Sequence, residues 1–225
     1  MANSRKFYSS VLWNSITSFF LRLIRSPKRD ANTHILEEYV TPNATVSVLS
    51  HDSTLSRELT EMPIAQLITR FAPGLKPLPD TLNAEALLWA VYHCEKYTTA
   101  YPNPRFEPSY APGGYYHDTA QHVRDAYAEY GRDAACSYSN FQILYIVATE
   151  LGYIGPPRAL DKDSFALPFV VKYINRRVLA RGADTPEEVA DAYNSGSYTD
   201  SHKPEGYMKR FRYFYDQAIQ RIEHA

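Results

Sequence analysis

At 225 residues with 44% hydrophobic side chains, the chain can bury one good core but is too short for two comfortable ones, which points to one main domain plus a smaller appendage. Its 24 basic and 25 acidic residues leave a net charge of −1, so no overall field holds a nucleic-acid backbone and nucleic acid is set aside as a partner. Aromatic residues make up 14% of the chain and 19 of them are Tyr, a side chain whose flat face and hydroxyl suit sugar grooves as well as protein cores.

The first element is an amphipathic helix. Tyr8, Val11, Leu12, Ile16, Phe19, Phe20, Leu23 and Ile24 recur at helical spacing, with Arg5, Lys6, Arg22, Arg25, Lys28 and Arg29 at the flanks and on the other side. Arg22 interrupts the apolar run, which falls short of the roughly 18 residues of a membrane span. No small-residue cleavage site follows it, so it does not read as a signal peptide. Docking of residues 7–25 on a partner protein or on the main domain is favoured over lying on a membrane surface. Residues 31–80 are mixed and Pro-punctuated, with an alternating stretch at Val46 and Val48 that suits an edge strand and a chance-level glycosylation pattern at Asn43-Ala44-Thr45. Residues 1–80 are thus an extension, and residues 81–225 the main domain.

From residue 80 onward the pattern is helical. Asn83 caps a helix whose interior, Ala86-Leu87-Leu88-Trp89-Ala90-Val91-Tyr92, is apolar on every side and therefore central. A Pro- and Gly-rich loop, Tyr101 to Gly114, follows and is long enough to line a site. Ala120, Val123, Tyr127 and Tyr130 form one face of a helix stopped by Gly131, and Phe141, Leu144, Val147 and Leu151 a second stripe ended by Gly152. Phe165 to Arg181 reads as a helix in which Pro168 must lie in or beside the first turn. Thr185-Pro186-Glu187-Glu188 is a capping box, and Tyr207, Phe211, Phe214, Ala218 and Ile222 define the last helix. The fold class is mainly α. Cys94 and Cys136 supply neither a disulfide framework nor a four-ligand zinc set, and two buried free thiols are expected.

Glu95 stands out because it closes an otherwise apolar helix, where partial burial would raise its pKa as a general acid requires. Further on, Ser137-Tyr138-Ser139-Asn140-Phe141-Gln142-Ile143 resembles the Ser-x-Gly-Leu-Met-Gln-Ile motif of lytic transglycosylases and goose-type lysozymes. Ala192-Tyr193-Asn194-Ser195-Gly196 resembles their Ala-Tyr-Asn-Ala-Gly motif. Catalytic Glu, Gln-Ile motif, Tyr-Asn and a closing aromatic helix come in the family's order. The stretch from Glu95 through Arg105-Phe106-Glu107 to Gly152-Tyr153 is also similar to phage N-acetylmuramidases.

The resemblance implies a lysozyme-like helical fold over roughly residues 80–220 that cleaves peptidoglycan between N-acetylmuramic acid and N-acetylglucosamine without a cofactor. Carried over, Glu95 protonates the glycosidic oxygen, Tyr193 hydrogen-bonds and directs the Glu95 carboxyl, Gln142 contacts the sugar or the loop holding it, and Ser137, Tyr138 and Asn194 bind the sugar or line its cleft. The family's single acid relies on the substrate's acetamido group, outside the two-carboxylate rule. Glu107 would instead permit hydrolysis as a second carboxylate, against the plainer reading of an ion pair with Arg105. Two departures, Lys96 after the catalytic Glu and Ser139 in place of the motif's Gly, leave open a weakened, wall-binding or structural virion protein of the same fold. His117 and His122 fall on different helical faces with no third His nearby, so no metal is expected. The muramidase likeness and the lack of a secretion signal imply a phage-encoded protein, in the virion or the infected host cell, acting on the periplasmic wall. A virion partner would then dock on residues 7–25.

Overall fold

The structure, a computed structural model, describes residues 59, 61–98, 104–196 and 204–224. The amphipathic stretch 7–25, the alternation at Val46 and Val48, and Asn43 lie outside the described residues. What is described is mainly helical: α1 (Ile64–Phe71), α2 (Ala84–Thr98), α3 (Tyr115–Thr119), α4 (Gln121–Tyr130), α5 (Tyr145–Glu150), α6 (Asp163–Tyr173), α7 (Pro186–Ser195) and α8 (Glu205–Glu223). A small antiparallel sheet, β1 (Arg105–Phe106), β2 (Cys136–Tyr138) and β3 (Ile143–Leu144), lies among them in the order β1-β2-β3.

Helix α2 is the centre of the core. Asn83 Oδ1 accepts the Ala86 N–H at 3.0 Å, the expected cap. Ala86, Leu87, Leu88, Ala90 and Val91 are fully buried, as a helix apolar on all sides requires. Helix α8 packs along it and along α7. The pair run antiparallel: the Asn83 N–H at the start of α2 donates to the Tyr215 hydroxyl at 2.8 Å, while Glu95 near its end meets Tyr207 in the first turn of α8. The core also takes in Leu59, Leu67, Ile68 and Leu75, so the helical body begins ahead of residue 81.

Several elements differ from their sequence pattern. Phe141 and Leu144 belong to a turn and to β3, and the helix expected there is confined to α5. The stripe misleads because core-facing side chains from a turn, a two-residue strand and a short helix recur here at three- and four-residue spacing. The run expected from Phe165 starts earlier, at Asp163, so Pro168 lies in the helix interior, beyond the first turn. The run continues through a π turn (Ile174–Val178) and a 3-10 turn (Leu179–Arg181) to Gly182 at φ 93°, a left-handed stop that favours glycine. Thr185 caps α7 as expected, its Oγ1 accepting from Glu188 N, with Pro186 in the first turn. The expected loop 101–114 carries β1 and a 3-10 turn, Pro108–Tyr110. Cys94 and Cys136 are buried free thiols, and burial pushes the Cys94 thiol up to about 12. Among the described residues no helix is long and apolar enough to cross a membrane.

Candidate active site

Glu95 lies in the last turn of α2 and is only 5% exposed. Burial raises its pKa, and this outweighs three opposing influences: the hydrogen bond from Tyr207, then the cations Arg105 and Arg210. Glu107 adds to the upward shift. A buried carboxyl holding its proton toward neutral pH is what a general acid needs. The Tyr207 hydroxyl donates to Glu95 Oε1 at 2.7 Å. Burial, then the neighbouring Glu95 charge, hold that hydroxyl well above its ordinary pKa, so it stays a donor throughout.

Tyr207 therefore has the position expected of Tyr193. The Tyr193 hydroxyl donates instead to the Phe141 carbonyl at 2.8 Å. Tyr193 is still a neighbour of Glu95, whose charge is among the influences that raise the Tyr193 pKa after burial. Tyr173, half-buried on α6, meets the Tyr193 ring edge-on at 5.4 Å and also feels the Glu95 charge. Sequence reasoning missed Tyr207, Tyr173 and Arg210, because each fell on a stripe that reads as core or as solvated face. The missed signal for Tyr207 was chemical: a buried Glu needs a donor, and an aromatic with a hydroxyl in the closing helix can supply one.

The sheet explains the fate of the first motif. Residues two apart on a strand share a face, so Arg105 and Glu107 point the same way, and the β1-β2 register sets Ser137 opposite Arg105. Glu107 Oε1 accepts from Arg105 Nε at 2.7 Å and from the Ser137 hydroxyl at 2.9 Å. The Glu107 carboxylate is thus the ion pair with Arg105, and its Oε2 has no hydrogen bond among the described residues. Ser137 is buried and holds Glu107. The next residue must face the opposite way, and Tyr138 is fully buried with its hydroxyl donating to the Asp133 carbonyl at 2.6 Å. It is a core residue, contrary to its expected place at the sugar.

The β2-β3 connection has two non-glycine residues at positive φ, Ser139 at 64° and Gln142 at 51°. Ser139 occupies the position of the motif's Gly, and its left-handed backbone is the conformation a glycine would take without strain. Its Oγ accepts the Phe141 N–H at 3.1 Å, and its carbonyl accepts Gln142 Nε2 at 2.7 Å. Asp163 receives the Asn140 backbone N–H at 3.0 Å and side-chain amide at 2.8 Å. Together with Tyr193 on the Phe141 carbonyl, these bonds pin the turn. Gln142 Oε1 is buried with no hydrogen-bond partner, an acceptor whose desolvation costs about 1–3 kcal/mol unless a donor arrives. Asn194 is exposed near the end of α7.

Lys96 Nζ reaches back one turn to the Tyr92 hydroxyl at 3.2 Å. His117, on α3, pairs with Asp118, and His122, on α4, pairs with Glu150. Two surface hollows, one lined by Met62, Gln66 and Arg70 and the other by Trp89, His93 and Phe214, do not include Glu95. Comparison with family models, curated proteins and solved structures finds no match.

Proposed function

We propose that this chain cleaves the glycan strands of bacterial peptidoglycan at the N-acetylmuramic acid β-1,4 N-acetylglucosamine bond, on a lysozyme-like fold, with Glu95 as general acid and base. The observation that carries this is the buried Glu95 carboxyl near the end of an apolar helix, held by the Tyr207 hydroxyl, with burial raising its pKa. Glu95 gives its proton to the glycosidic oxygen, the bond to the muramic C1 breaks, and the N-acetylglucosamine leaves with a free 4-hydroxyl. The acetamido group supports the positive charge developing at C1. The Glu95 carboxylate then takes the proton of the muramic 6-hydroxyl as its oxygen bonds to C1, which regenerates the acid and gives a 1,6-anhydro end. Gln142, through Nε2 on the Ser139 carbonyl, would hold the loop that the resemblance sets against the sugar.

Two departures from the resembled motif leave this chemistry in place. Lys96 is turned onto Tyr92, and Ser139 already adopts the backbone of a glycine. These support an enzyme over a weakened wall-binding relative. A hydrolytic second reading rests on Glu107 Oε2, left open to hold a water. The carboxyls of an inverting pair would then stand about 6.5–9.5 Å apart and the product would be a reducing end. The Arg105 and Ser137 bonds, which already engage Glu107 Oε1, favour the single-acid route.

Mass spectrometry of muropeptides released from purified sacculi separates the two, since the anhydro end is lighter by one water. Reducing ends alone, with severe loss of activity in Glu107→Gln, would make the chain a hydrolase. The likeness to phage muramidases extends the proposal to a phage enzyme that reaches the wall from the virion or the infected host, with residues 7–25 as its docking segment. Detection of the chain in purified virions tests that part.

A further inference from the structure

The 3-10 turn that follows Glu107 leads directly into a cluster of tyrosines. The Tyr110 N–H donates to the Glu107 carbonyl at 3.0 Å, which closes the turn. The chain then folds back so tightly that a Cβ on Gly114 would stand 2.3 Å from the Pro108 carbonyl oxygen, an approach only glycine permits. This brings the Tyr116 ring parallel to Tyr110, with centroids 4.6 Å apart and planes at 18°, and sets Tyr115 edge-on to Tyr116 at 5.3 Å. The backing is rigid. Asp118 receives the Gly113 N–H at 3.3 Å, and Arg124 donates to the His117 and Asp118 carbonyls at 3.1 and 3.0 Å. Yet Tyr115 and Tyr116 stay 46% and 40% exposed, two of the few large apolar side chains left in water.

We infer that Tyr115 and Tyr116 form a sugar-stacking subsite that holds the glycan strand beyond the bond being cut. The inference rests on the glycan-cleaving reading of Glu95. Its basis is continuity: the platform begins one turn from Glu107, and Glu107 and its ion-pair partner Arg105 are among the charges that act on Glu95. A pyranose presents a flat C–H face with hydroxyls at its rim. A preorganised tyrosine offers the matching face with a hydroxyl at its own rim, and little ordering entropy is lost on contact.

The test uses the full chain, purified sacculi, and soluble disaccharide-repeat glycans of graded length. Replacing both residues, Tyr115→Ala with Tyr116→Ala, should raise KM on the longest strands about tenfold at unchanged kcat. The pair Tyr115→Phe with Tyr116→Phe should stay within about twofold of wild type, because the faces remain. In the Glu95→Gln background the alanine pair should lower co-sedimentation with sacculi to match. Unchanged KM in the alanine pair, or an equal loss in the phenylalanine pair, overturns the subsite while leaving Glu95 as the acid. Wild-type protein that neither cuts nor binds sacculi overturns both.

Discussion

Glu95 is poised between influences of opposite sign, and each can be removed singly. The Tyr207 bond favours the carboxylate, so Tyr207→Phe should raise the Glu95 pKa further, whereas Glu107 disfavours the carboxylate, so Glu107→Gln should lower it. A general acid works only while protonated, so activity fails as pH rises through its pKa. The alkaline limb of kcat/KM should move to higher pH in Tyr207→Phe and to lower pH in Glu107→Gln. Limbs that move together, or not at all, would dissociate the pH profile from Glu95. The same carboxyl bears on stability. Its pKa is raised in the folded state, so between the ordinary carboxylate range and the raised value the unfolded chain binds fewer protons, and stability falls as pH rises. Glu95→Gln should therefore have an equal or higher Tm than wild type at neutral pH, the difference vanishing below about pH 4. Thermal melts at the two pH values check the sign.

The turn between β2 and β3, the stretch that resembles the Gln-Ile motif, is held by bonds within the fold. Ser139 has a left-handed backbone and a hydroxyl bonded to Phe141 N. Ser139→Ala keeps the strain and loses the bond, which should destabilise by about 1 kcal/mol or more. Ser139→Gly loses the bond but also the strain, worth about 1 kcal/mol, and should come out more stable than the alanine variant in urea melts. Tyr193→Phe frees the Phe141 carbonyl from the other side. It should destabilise by about 1 kcal/mol and lower turnover moderately without moving the pH limb, and a shifted limb would return Tyr193 to direct contact with Glu95. The Asn83 and Thr185 caps, the central α2 and the closing α8 could all be read from local pattern. Strands of two or three residues could not, because they are too short for periodicity to register. Without the sheet, Ser137 and Tyr138 seemed to serve one role, although adjacent strand residues must face apart.

At the scale of the molecule, the antiparallel packing of α2 and α8 assembles the acid with its donor, residues 112 apart in the chain. Local pattern placed Tyr207 on the closing helix, and only tertiary structure pairs it with Glu95. The residues of the proposed site all follow position 94, whereas Leu67 and Ile68 help fill the shared core. Deleting residues 1–30 should therefore leave a soluble, active domain, and deleting through Leu75 should abolish folding. An insoluble product from the shorter deletion would mean that the N-terminal segment covers part of the domain. Most directly, the rate of soluble muropeptide release from purified sacculi should be compared between the wild-type chain and Glu95→Gln, both shown folded by their melts. The expected result is release by the wild type and a loss of at least about a hundredfold in the variant, the lower range for a general acid. A variant that keeps more than about a tenth of the wild-type rate would contradict the assignment of Glu95 as the proton donor.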